Sequence, residues 1–195
     1  MANLSDFKAH LIGGGARANQ FRVELAFPNF VGFGVVAGQR AQFLCNAAQL
    51  PGSVVAEIPV PYRGRTLYVA GEREFAPWNI SIINDTSFGI RNALELWSNG
   101  IQNLTTTDGR TNPTDYQVDL SVHHLDRSGA IIKTYKFVDA WPTEIGPIQL
   151  SYEQSGTLET FDVTFRYNFW TSNTAESEDL GINVSIDTPI GSFPV

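Results

Sequence analysis

The sequence predicts a mainly β fold: a two-sheet β-sandwich or flattened barrel with one amphipathic helix on its flank. Two observations predict it. Period-two alternation of apolar and polar residues dominates the chain, as expected of half-buried strands. A single segment departs from it with helical spacing. The clearest alternation runs over residues 160–169, where Phe161, Val163, Phe165, Tyr167 and Phe169 interleave with Thr160, Asp162, Thr164, Arg166 and Asn168. The same pattern sets Phe21, Val23, Leu25 and Phe27 against Arg22, Glu24 and Ala26, and Tyr116, Val118, Leu120 and Val122 against Gln117, Asp119, Ser121 and His123. The exception places Ile90, Ala93, Leu94, Trp97 and Ile101 on one stripe, which predicts a helix over 86–99 lying on one sheet.

Taken in order, residues 1–18 contain Gly13-Gly14-Gly15 and read as a flexible N-terminal arm that a neighbour would order. Residues 19–170 form the β domain. Its first strand covers 21–27, and 42–48 makes a second with Cys45 as a small core residue. A long loop, 50–64, separates this from strands at 65–70 and 78–83. Asp85 or Thr86 can cap the helix start and Gly100 its end. Residues 102–113, with Asp108-Gly109, form a loop. Strand 116–123 is joined to strand 131–138 by the turn Asp126-Arg127-Ser128-Gly129. Weaker strand signals cover 148–152. Residues 171–195 form a C-terminal extension, acidic over Glu176-Ser177-Glu178-Asp179 and then apolar at Ile182, Val184, Ile186 and Ile190.

The 50–64 loop is the functional signal. Hairpin connections usually run two to five residues, and this one carries Leu50, Val54, Val55, Ile58, Val60 and Tyr62 where a solvated loop would carry Ser, Asn and Asp. Burying such side chains is worth roughly 1.5–3 kcal/mol each, so their place is against another molecule.

Composition points the same way. Charged residues are only 17% of the chain while 12% are aromatic, against about 25% charged in an ordinary soluble domain, which leaves much surface for partners. The net charge of −7 argues against a protein that grips nucleic acid with Lys and Arg. Asp119 and Asp162 each sit on the polar face of an alternating strand. One cysteine permits no intrachain disulfide. No apolar run reaches the roughly 18 residues of a membrane span, and the N-terminus is not a signal peptide.

No catalytic, cofactor-binding or metal site emerges. His123 and His124 are adjacent on a strand and point to opposite faces. Cys45 sits mid-strand with no base beside it. Gly13-Gly14-Gly15 lacks the Lys-Ser/Thr of a phosphate loop. Glu72 and Glu74 flank Arg73 as a solvated charge cluster. The reading is that of an assembly part, not an enzyme.

One set of residues resembles a known family. The run Phe43-Leu44-Cys45-Asn46-Ala47-Ala48-Gln49-Leu50-Pro51, then Ile58-Pro59-Val60, then residues 69–75 with Trp78 and Asn84-Asp85, is similar to the tail tube proteins of contractile-tailed bacteriophages. Residues 140–146 and 160–164 extend the likeness, which covers roughly 18 to 170. The resemblance implies a virion protein, made in the host cytoplasm, whose six-membered rings stack into a tube inside a contractile sheath, with Leu50, Val54, Val55, Ile58, Val60 and Tyr62 as an inter-ring contact and Asp119 and Asp162 as candidates to face an acidic lumen that repels a duplex and keeps it moving. Sheath and baseplate proteins would be its partners, and viral DNA would pass through without specific binding. Secreted type VI tubes and bacteriocin tubes share that architecture. A monomeric β-sandwich binding carbohydrate or protein is the alternative from another class.

Overall fold

The computed structural model describes residues 3–11, 15–153 and 155–173. Residues 13 and 14 of the glycine run, and the acidic and apolar stretches read after 174, lie outside them.

Helix α1 (Leu4–His10) occupies what the sequence left as an arm, and it buries none of its residues. Strands β1 (Phe21–Glu24), β6 (Val118–Leu125), the first part of β7 (Ile131–Ile145) and β9 (Phe169–Ser172) form one layer. The last part of β7, β8 (Thr160–Arg166), β5 (Trp78–Ile83) and β2 (Cys45–Ala48) form the other. All pairings are antiparallel, and the strand path β1-β6-β7-β8-β5-β2 is open at both ends. The fold is therefore a sandwich whose layers share β7, with no closed barrel among the described residues.

The sharing of β7 explains a difference from the sequence reading. Strand 160–169 was expected to run unbroken, but it divides into β8 and β9 at Tyr167–Asn168. Opposite the break, Asp139 bends β7 with a positive φ of 57°. Asn168 Nδ2 donates to Asp139 Oδ2 at 2.9 Å, and Asn168 N donates to Val138 O at 3.1 Å, so the two strands bend together from one layer into the other. Phe161, Val163, Phe165 and Tyr167 remain buried, while Phe169 is turned outward.

Between the layers, Trp78 stacks on Phe137 with centroids 4.2 Å apart, and Phe137 meets Tyr167 edge-on at 4.9 Å. Helix α3 (Gly89–Ile101) lays Ile90, Ala93, Leu94 and Trp97 into this core. Arg91 lies over the Phe161 ring and Trp97 tilts against Phe165, so the stripe rests on the inner face of β8. The helix starts three residues later than expected, with Phe88 at its N-cap and no capping bond from that side chain; Asp85 still serves the start, its Oδ1 accepting from Gly89 N at 3.0 Å. Gly100 is not the cap expected of it. It is inside the helix, where a Cβ would lie 2.2 Å from the Phe30 ring.

Helix α2 (Gly34–Leu44) replaces much of the strand predicted over 42–48, leaving only Cys45–Ala48 extended. It escapes a periodicity search because its buried face is Gly34, Ala37, Gly38 and Ala41, while Val35, Val36 and Phe43 are exposed. The small residues let its backbone approach the chain leaving β1: a Cβ on Gly38 would lie 2.3 Å from the Leu25 carbonyl oxygen. Residues 148–152 form no strand.

Candidate functional site

Residues 50–64 are not a loop. Strand β3 (Val54–Tyr62) pairs with β4 (Arg65–Glu74) around a two-residue turn, Arg63 at φ 44° and Gly64 at φ 82°. Positive φ at both central residues is the geometry that matches strand twist in a tight hairpin. The connection is too long for a hairpin loop because it holds the first strand and the turn of a separate hairpin, β3–β4, inserted between β2 and β5. Val54, Val55, Ile58, Val60 and Tyr62 favour extended backbone.

The hairpin forms its own two-stranded sheet, and none of its residues is buried. Its root is fixed by two indoles: Trp78 Nε1 donates to Gln49 O at 2.8 Å and Trp170 Nε1 donates to Gly52 O at 3.1 Å. Cross-strand partners share a face. Ile58 opposite Val69, Val60 opposite Leu67 and Tyr62 opposite Arg65 therefore place Ile58, Val60, Tyr62, Leu67 and Val69 on one side. Of these, Ile58 is 51%, Val60 41%, Leu67 63% and Val69 46% exposed. A contiguous apolar face of this kind marks an interaction surface. Leu67 and Val69 were not among the expected contact residues, although their alternation with Thr66, Tyr68 and Ala70 was there to be read. Leu50 precedes the hairpin and is exposed, and Val54 and Val55 lie near its root, beyond a register shift at Ala56.

The two lumen candidates are not brought together. Asp119 is on the outer face of the β1-β6-β7-β9 layer, where Lys136 Nζ approaches Oδ2 at 2.8 Å and Asp139 N donates to Oδ1 at 3.2 Å. Partial burial pushes its pKa up, but the Lys136 hydrogen bond, the Asp139 amide and the lysine charge outweigh this and hold it below the ordinary carboxylate value. The same face pairs Arg22 with Glu24 at 3.4 Å and His123 with Glu24 at 3.4 Å. Asp162 is on the outer face of the other layer, opposite Ser81 and two positions from the Asn79–Thr164 pair. Among the described residues it makes no ion pair.

The remaining chemistry-bearing residues do not converge. His123 faces outward, its Nδ1 2.9 Å from Thr134 Oγ1, and His124 lies on the opposite side of β6. Cys45 is buried, its Sγ 3.3 Å from Ala47 O, and burial pushes its thiol pKa up to about 12. Among the described residues no group of three or more His, Cys, Asp or Glu could hold a metal ion, and no helix is long and apolar enough to cross a membrane.

Comparison with known proteins adds the context that geometry alone lacks. The family described as phage tail tube protein matches residues 16–173. Tail tube protein gp19 of Enterobacteria phage T4 is 30% identical over 158 residues, covering 80% of this chain and 90% of that protein. The tail tube protein of Serratia phage KSP90 is 28% identical over 172 residues, covering 86% and 95%. In structure, the tube-terminating cap of the anti-feeding prophage superposes with a TM-score of 0.59 at 16% identity, covering 81% of this chain and 90% of that one. A chain of the extended sheath–tube complex of an extracellular contractile injection system superposes at 0.51 and 13% identity, covering 88% and 98%. At such identities the superpositions establish a shared fold.

Proposed function

The chain belongs to the phage tail tube protein family and is a structural component of the virion tail; from that premise we propose that it forms hexameric rings that stack into the inner tube of a contractile tail. Sheath and baseplate proteins surround and nucleate this tube, and viral DNA passes along it without specific binding. The protein carries out no catalysis.

Two contacts build the tube in this reading. Laterally, free sheet edges of neighbouring subunits pair, which removes exposed edges when the ring closes. Axially, the hairpin docks onto the adjacent ring, with Leu50, Val54, Val55, Ile58, Val60 and Tyr62 as anchors joined by Leu67 and Val69. The observation that carries this is a hairpin standing off the body with its apolar face uncovered. The channel wall is the outer face of the β8–β5 layer: Asp162 there has no counter-ion among the described residues, whereas Asp119 on the other layer is neutralised by Lys136.

Negative-stain micrographs of purified protein test the assembly: rings or tubes are expected, and isolated particles at every concentration would refute it. Substituting Val55 and Ile58 together with Asp should leave a folded subunit that does not polymerise. Full-length tubes from that variant would refute the axial role of the hairpin.

A further inference from the structure

The hairpin has two long outer edges, and its sequence treats them differently. A two-residue turn makes Tyr62 and Arg65 the first hydrogen-bonded pair, after which hydrogen-bonded and non-hydrogen-bonded pairs alternate. Pro61 opposite Thr66, and Pro59 opposite Tyr68, therefore occupy non-hydrogen-bonded sites, where the backbone nitrogen points away from the partner strand. A proline is tolerated there without loss of an internal bond, and it leaves that edge without a donor. The outer edge of β3 is thus disarmed at two successive outward positions.

The outer edge of β4 is not. Arg65–Glu74 contains no proline, so Thr66, Tyr68 and Ala70 direct both N–H and C=O outward. All three are exposed, and nothing pairs with that edge among the described residues. An open edge of this length is a template for strand addition, which proteins ordinarily blunt unless it is used. Here one edge is blunted and its neighbour, two residues away around the turn, is left open.

We infer that the outer edge of β4 is a strand-addition site for a sheet edge of a second copy of this chain, and that Pro59 and Pro61 restrict pairing to that side. The occupant is a second copy because assembly of like subunits is the premise taken from the proposed function, on which this inference rests. The contact is heterologous. If β4 paired with β4 about a two-fold axis, assembly would end at a dimer, whereas pairing with a different edge lets each subunit both give and receive a strand, as a ring or tube requires.

Proline itself supplies the test. In Thr66→Pro and Tyr68→Pro the new prolines fall opposite the existing ones, at sites whose nitrogens point outward, so the hairpin keeps its internal bonds and loses only outward donors. Tyr68→Val changes the side chain and keeps the donor. Tubes are expected from wild type and Tyr68→Val, and none from the double proline variant. Tubes from all three would overturn the inference, and loss in both substituted proteins would transfer the contact to the Tyr68 side chain and overturn it equally. Amide exchange of wild type guards against misfolded variants: the Thr66, Tyr68 and Ala70 amides should exchange at least about tenfold more slowly in tubes than in dissociated subunits. Wild-type tubes with these amides unprotected would overturn the inference while leaving the tube reading intact. A wild type that forms no rings would overturn both.

Discussion

Gly38 and Gly100 are held small by what faces them, but the two obstacles differ in how far they can move. A Cβ on Gly38 would meet the Leu25 carbonyl oxygen at 2.3 Å, and a Cβ on Gly100 would meet the Phe30 ring at 2.2 Å. The first obstacle is backbone, the residue directly after the last β1–β6 pair, Glu24 with Ser121, so it cannot rotate aside as a side chain can. The second is the far end of a half-buried side chain, the Phe30 ring, covered by the exposed Arg110 guanidinium 4.1 Å from its centroid, and both side chains can shift. Overpacking a tight contact destabilises by roughly 1–3 kcal/mol. Gly38→Ala should fall within that range and Gly100→Ala below it, read as urea midpoints at constant slope. Equal midpoints for the two variants would contradict this account. Neither role was visible in the sequence, where Gly38 carried no signal and Gly100 matched a helix end: a glycine chosen for close approach looks the same as one chosen for backbone freedom until its neighbour is known.

At the scale of elements, legibility followed the size of the buried side chains. Helix α3 announced itself because its inward stripe is Ile90, Ala93, Leu94 and Trp97, and β5 was found at its observed limits because Trp78, Ile80 and Ile82 alternate with Asn79 and Ser81. Helix α2 stayed hidden because its large residues face out and its small ones in. Of the hairpin, the strand read over 65–70 falls within β4, whereas β3 was read as an apolar loop, since its alternation serves no core within the subunit. The cap of α3 was legible, and its chemistry predicts a pH dependence. Ser87 donates to Asp85 at 2.7 Å, and with the Gly89 amide and Arg40 at 2.9 Å it outweighs desolvation and lowers the Asp85 pKa. A depressed folded-state pKa gives stability that is fully present above the unfolded value, about 3.9, and is lost as pH falls through the folded one. Wild type should therefore melt above Asp85→Asn at neutral pH, with the difference closing below about pH 4. A difference that does not change with pH would show that the carboxylate charge is irrelevant to the cap.

Over the whole molecule, the two outer faces of the sandwich differ in how their carboxylates are matched, and in the proposed tube this would decide which of them repels DNA. Asp119 with Lys136 and Glu24 with Arg22 form close opposite-charge contacts on one layer. Little net field leaves such a surface, because paired charges cancel beyond a Debye length, about 8 Å at physiological salt. On the other layer Asp162 stands among Ser81, Asn79 and Thr164, and six such carboxylates around a narrow channel would act together on a passing duplex. The sequence supplied both aspartates as equals because alternation reports which way a side chain points and not what meets it across the strands. In the proposed tube the asymmetry becomes measurable. Asp162→Arg tubes should retain short duplex DNA at low salt and release it near 1 M, where the Debye length is about 3 Å. Asp119→Arg tubes should retain none, since their new cation is on the outside of the wall. Retention by the Asp119 variant alone would move the channel to the opposite layer, and retention by neither would separate the charge of the wall from the passage of DNA.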